Sequence, residues 1–202
     1  MKRIILFLAA VSLSLFFTGC TSMVGYNPTY LPQDAAKLNL PGKSLVVMTD
    51  ADAQWVYSGS PSTFTASATT LNIPMGEITK QVALRVFGAA FQEGADFRNS
   101  TTGSQGYRLV VEPKVASFTY AYKQLHNLGF AITPTVTVDL RVKLAAPDGQ
   151  VLLDRTYASG PVEGASYALS GAPQEKINQL LHQTLFKLMT DAALEVRGKL
   201  AN

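Results

Sequence analysis

The chain has 202 residues and a formal charge of +3 at pH 7, from 17 Lys and Arg against 14 Asp and Glu. Two of those cations, Lys2 and Arg3, sit in an N-terminal segment expected to be removed; the +1 that remains gives no net-charge case for nucleic acid. With a single cysteine there is no intramolecular disulfide, so stability has to come from packing and hydrogen bonds.

After the basic start, Ile4 to Phe17 is an almost unbroken apolar run, closed by Phe17-Thr18-Gly19-Cys20. Basic, then apolar, then small residues is the order of a secretory signal, and the apolar part is too short to span a bilayer as a mature helix. Because the only cysteine stands at the junction, the segment resembles a bacterial lipoprotein signal, with Phe17 where Leu is usual. The resemblance implies cleavage after residue 19 and a diacylglycerol on the Cys20 sulfur, with palmitate or a similar acyl chain. At ~0.8 kcal/mol per buried methylene, two or more chains hold a domain to a membrane almost permanently. Thr21, rather than Asp, follows the cysteine; this implies the periplasmic face of the outer membrane rather than the inner membrane.

The expected organisation is a signal peptide over 1–19, a lipidated tether over 20–42 and a single domain over 43–202. Pro28, Pro32 and Pro41 predict an extended tether, with Tyr26, Tyr30 and Leu31 packed onto the domain. Ser44 to Thr49 reads as a short buried strand, and Gln54 to Tyr57 as a second extended piece. A Ser/Thr-rich stretch over 64–71 fits either a solvent-facing strand or a loop. Gly76 to Glu93 is a helix with Ile78, Val82, Val86 and Ala89 at helical spacing, ended by Gly94.

Tyr107 to Tyr122 predicts a long strand. Leu109, Val111 and Val115 alternate in one phase, and Phe118, Tyr120 and Tyr122 in the opposite one. A phase switch near 114–117 implies a bulge, and Pro113 implies an edge or irregularity there. Thr135 to Leu144 is the cleanest strand, with Val136, Val138, Leu140, Val142 and Leu144 on one face. Pro147-Asp148-Gly149 turns the chain into an antiparallel return over Val151 to Tyr157. Pro173 to Arg197 is a long amphipathic helix that buries Ile177, Leu181, Thr184, Leu185, Leu188, Ala192 and Val196 and stops at Gly198. The predicted fold is α+β, a two-layer sandwich with an antiparallel sheet of about four strands and two helices on one face.

Val162-Glu163-Gly164-Ala165 follows the last strand, and the terminal helix carries Ile177, Leu181, Thr184 and Met189 before Asp191. With the order of elements behind the signal, these residues make the chain resemble the YajG type of small outer-membrane lipoproteins. The resemblance implies a fold and a location, and no activity to carry over.

Motifs for chemistry are few. His126 has no partner at metal-ligand spacing, and His182 is expected on the flank of the last helix, at the surface or its boundary. Asp50 and Asp52 lack the glycine and glutamate of a calcium loop and read as turn residues. Glu163 is expected to bond backbone rather than act as an acid. Serines occur in no nucleophile-elbow or Ser-x-x-Lys pattern. No catalytic, metal or cofactor residue is assigned. Phe118, Tyr120, Tyr122 and Phe130 would contact a partner if their hairpin projected from the core, but the favoured reading is that they cover its end; Arg141 and Lys143 read as a solvated sheet face or as a second patch. The expected function is a non-enzymatic, lipid-anchored accessory or scaffold in cell-envelope assembly, its partner an envelope protein or polymer. The alternative is a glycan- or lipid-binding envelope module for peptidoglycan or lipopolysaccharide; a hydrolase would need carboxylates, serines or His126 to meet in a deep pocket.

Overall fold

The computed structural model describes residues 21–33, 35, 37–63, 69–124, 131–168 and 173–200. The signal segment, Cys20, His126, Phe130 and positions 64–68 of the Ser/Thr-rich stretch lie outside them. The elements are β1 (Thr21–Met23), β2 (Ser44–Val47), a one-turn α1 (Asp50–Ala53), β3 (Tyr57–Gly59), β4 (Thr70–Ile73) and α2 (Met75–Ala90). They continue with β5 (Ala95–Arg98), β6 (Leu109–Gln124), β7 (Ala131–Ala145), β8 (Val151–Ala158), β9 (Val162–Glu163), β10 (Tyr167–Ala168) and α3 (Pro173–Leu200).

β7 is the spine of the main sheet. One of its edges pairs along its length with β6; the other takes β8, β9 and β10 in turn, all antiparallel. Beyond β6 the sheet continues through β2 to β5, and both pairings of β2 are parallel. A smaller sheet has the order β1-β4-β3. The fold is therefore α+β in two layers, as the periodicity implies, but the main sheet is mixed and has seven strands among the described residues, not about four. The additional strands were hidden for a physical reason. Ala95-Asp96-Phe97-Arg98 alternates over only four residues, and β1, β9 and β10 are only two or three residues long, all too short for a period to stand out.

Both long helices cover one face of the main sheet. α2 packs on β2, β5 and β6, α3 packs on β7, and the two helices pack on each other. The inward row of β7, Val136, Val138, Leu140, Val142 and Leu144, is fully buried. In β6, the register against β7 shifts between Val115 and Ser117. This one-residue bulge brings Phe118, Tyr120 and Tyr122 back onto the face already used by Leu109, Val111 and Val115. Pairing with β2 has ended by then, at Val111, so Pro113 stands just past the end of β2. On the opposite face Leu45, Val47, Val110 and Ala145 form a small second cluster under Tyr107, which is why β2 is buried on both sides.

The outer face of β7 is a carpet of ion pairs. Arg141 makes a two-point contact with Asp154 at 2.8 and 2.7 Å, and Lys143 meets Glu112 at 2.9 Å. Gly76 is required by contact rather than by φ: a Cβ there would stand 2.2 Å from the Asp52 carbonyl and 2.4 Å from that of Ala53. α2 runs one residue earlier than expected and ends at Ala90, while α3 continues through Gly198 to Leu200.

Phe118 is 6% exposed and stacks edge-on with Tyr57 at 4.8 Å, so it is a core residue. Phe118→Ala is expected to lower unfolding free energy by about 3–5 kcal/mol, the usual cost of truncating a buried phenylalanine. Urea titration of the soluble domain measures it; a loss below about 1 kcal/mol would place the ring outside the core.

Candidate functional site

The segment read as a tether lies on the domain from its first described residue. β1 pairs in parallel with β4, Thr21 opposite Thr70 and Met23 opposite Asn72, and the Val24 amide donates to the Asn72 carbonyl at 3.1 Å. Val24 and Leu31 are buried, and Tyr26 packs against the core. Asn27 caps a single 3-10 turn over Pro28–Tyr30, its side chain accepting from the Thr29 amide at 3.0 Å. Proline in the first turn suits this geometry because its missing donor would be unpaired there anyway.

The receiving surface is α3. Asn178 and His182, one helical turn apart, are 1% and 0% exposed. The Asn178 amide donates to the Gly25 carbonyl at 2.8 Å, and the Asn27 amide donates to His182 Nε2 at 3.1 Å. His182 Nδ1 lies 2.8 Å from the Asn178 carbonyl. A carbonyl only accepts and an amide N–H only donates, so the ring is neutral with its proton on Nδ1. Tyr26 stacks on the ring at 5.5 Å and Tyr30 meets it edge-on at 5.6 Å. The Tyr30 hydroxyl donates to Glu175 at 2.7 Å, and Arg85 of α2 donates to the Gln33 carbonyl at 3.0 Å. His182 is therefore an interior clasp, not the surface residue its flank position suggested. Its neighbour Leu181 defines the stripe, but the docked segment extends the buried zone around the helix to reach position 182.

A second feature is a cleft of about 680 Å³ between β8 and α3, lined by Arg155, Tyr157, Ser159, Gln183, Thr184 and Lys187 among others. At its rim Arg155 and the Tyr157 hydroxyl both approach Glu195, at 3.2 and 2.8 Å, and Lys187 pairs with Asp191 at 2.8 Å. Burial, then the hydrogen bond to Glu195, pushes the Tyr157 pKa well up, so this phenol remains a donor at any physiological pH. The Ser159 hydroxyl is occupied by the fold, accepting from the Val138 amide at 2.9 Å. What the cleft offers a ligand is an apolar floor with amide and hydroxyl groups around it and two cations already paired with Glu195 and Asp191.

Of the residues expected to meet a partner, Phe118, Tyr120 and Tyr122 are 6%, 2% and 4% exposed and stack on one another inside the core. They form no exposed patch, because the segment ending at Thr63 lies along the free edge of β6. The Tyr120 hydroxyl donates to the Gly59 carbonyl at 2.9 Å, and the Tyr122 amide donates to Thr63 Oγ1 at 3.2 Å. Burial drives the Tyr120 pKa up to about 12. Arg141 and Lys143 spend their charge on Asp154 and Glu112. Asp52 pairs with Lys114 at 2.9 Å, which holds its carboxyl below the usual range, and its amide is capped by Thr49. Glu163 pairs with Lys123 rather than with backbone. The neighbouring Gly164 donates its amide to the Pro134 carbonyl at 2.9 Å and lies against Leu180 and Pro134, where a Cβ would sit 3.0 Å from both side chains. Among the described residues no group of three His, Cys, Asp or Glu side chains is placed to hold a metal ion.

The fold is shared with XCC0632 from Xanthomonas campestris, a protein of family DUF330. The two superpose with a TM-score of 0.51 over 89% of this chain and 96% of that one, at 13% identity. A homolog of the neuraminyllactose-binding hemagglutinin from Helicobacter pylori (TM-score 0.41, 10% identity, 85% of this chain and 89% of that one) is a more distant match. So is a minor lipoprotein from Acinetobacter baumannii (TM-score 0.34, 12% identity, 78% and 94%). No family model matches the chain, and neither does any curated protein.

The clasp makes stability depend on pH. Burial depresses the His182 pKa, outweighing the Asn178 carbonyl and Glu175, which act the other way. Above about pH 6.5 the ring is neutral whether folded or unfolded. As pH falls below that, the unfolded chain binds the proton first, so stability is lost until the folded-state pKa is reached. The slope from this one group is at most about 1.4 kcal/mol per pH unit. Urea midpoints at pH 7.5, 6.5 and 5.5 should fall for the parent and fall less for His182→Gln. Parallel lines would remove His182 as the cause.

Proposed function

We propose that the protein is a lipid-anchored, non-catalytic accessory of the bacterial cell envelope, held at the periplasmic face of the outer membrane through Cys20 and acting as a scaffold for another envelope component. The observation that carries this reading is the basic, apolar, small-residue run ending in the sole cysteine, followed without a spacer by a docked strand. A lipid on Cys20 would lie one residue from Thr21, within 3.8 Å between Cα atoms. The domain would then be held close against the surface, and its effective concentration for a partner on that surface would rise accordingly.

A second reading has a specific feature behind it. The β8–α3 cleft is within the size range of ligand sites and mixes apolar walls with Gln183 and the ion pairs Arg155–Glu195 and Lys187–Asp191, a set of donors and acceptors suited to the hydroxyls of a glycan or to a lipid headgroup. Gln183 and Lys187 are exposed on α3, so Gln183→Ala with Lys187→Ala should leave thermal stability within about 1 kcal/mol of the parent. On this reading the pair weakens retention on peptidoglycan or lipopolysaccharide; unchanged retention returns the cleft to scaffold surface.

Metabolic labelling with palmitate tests the anchor. The parent is expected to carry label and sediment with outer membrane, whereas Cys20→Ala loses the label and appears in the soluble fraction. An unlabelled, soluble parent would overturn the anchored reading, and crosslinking in cells that repeatedly returns no envelope protein would overturn the scaffold role.

A further inference from the structure

Most large apolar side chains are inside, yet three exposed ones gather around the smaller sheet. Met23 is 76% exposed, Val56 50% and Trp55 38%. Register gives the direction of Met23. Met23 lies opposite Asn72, which lies opposite Ser58, while the alternate row, Leu71 and Ile73, is buried. Trp55 and Val56 stand immediately before Tyr57, the first residue of β3, and are exposed there. Two strand spacings, about 10 Å, separate Met23 from Ser58, so the three exposed side chains belong to the same small sheet and its entry.

The patch is held rigidly. The Gly76 amide donates to the Trp55 carbonyl at 3.0 Å, and the Trp55 amide approaches the Asp52 carbonyl at 3.4 Å. Gly76 itself touches the carbonyls of α1, so Trp55 follows a turn locked against the start of α2. The patch also lies where the chain leaves the described residues. Cys20 is three residues from Met23, at most about 10 Å along an extended strand.

We propose that the outer face of the β1-β4-β3 sheet, with Met23, Trp55 and Val56, is the side of the protein that rests on the lipid surface. The proposal rests on lipidation of Cys20 as read above. An acyl anchor attached beside this sheet leaves it no room to turn away from the bilayer. An exposed indole at a water–hydrocarbon boundary is in its preferred place, with its ring in the apolar layer and its N–H in the wet one.

Trp55 is the only tryptophan in the chain and serves as the probe. The lipidated protein, purified from membranes, is placed in phosphatidylethanolamine–phosphatidylglycerol vesicles with and without brominated acyl chains. The emission is expected to shift to the blue and to lose about half its intensity to brominated lipid, as for an interfacial indole. Met23→Asp with Val56→Asp, both at exposed positions, should keep the lipid and the fold but lose that quenching. Protein that floats with the vesicles while Trp55 stays open to acrylamide and blind to bromine would overturn the orientation and leave the anchor standing. Protein that carries no lipid and does not float would overturn the anchor and the orientation together. Soluble Cys20→Ala protein in which Trp55 becomes shielded as concentration rises would assign the face to a second copy of the chain and overturn the proposal.

Discussion

A hydrogen bond from the Asn27 amide to the buried His182 ring governs how this chain is put together. An imidazole and a carboxamide on the buried side of a long helix are costly unless their polar atoms are met, since an unpaired buried donor or acceptor costs about 1–3 kcal/mol. Here the Gly25 carbonyl meets Asn178 Nδ2 and the Asn27 amide meets the ring, while Asn178 Oδ1 is left buried without a partner. Residues 21–33 are therefore part of the fold, and β1, docked by this clasp, becomes the edge strand of the smaller sheet.

From that constraint follows the placement of everything nearer the N-terminus. A flexible leash lets a domain sample many orientations, whereas a strand docked from Thr21 onward would restrict a domain attached through the preceding residue. Two helices on one face of the main sheet put the cleft between β8 and α3 on the side served by the C-terminal helix.

Long, regular patterns were legible from residues alone. The alternation from Val136 to Leu144 placed β7, and the opposed phases of Val115 and Phe118 located the bulge in β6 before any coordinates. The buried stripe of α3 was readable from Ile177 to Val196, each expected member being buried. Short pieces escaped, because a strand of two or four residues has no period. The clasp escaped for a different reason: its partners are 155 residues apart, and nothing local tells a histidine that a distant amide will reach it. One signal was available: Asn178 and His182 stand a helical turn apart beside Leu181 and Leu185, where two polar groups belong only if something comes to meet them. The aromatic run of β6 left two readings open, burial being the favoured one, since whether a hairpin projects depends on the 59–63 segment that covers it.

Amide hydrogen exchange at Asn27, resolved by NMR at pH 7.5, tests the clasp most directly. A docked segment predicts slow exchange there, approaching that of the buried β7 amides such as Val138. Exchange at the rate of a free peptide, with β7 still protected, would show the N-terminal segment loose in solution and contradict the idea that it is part of the fold.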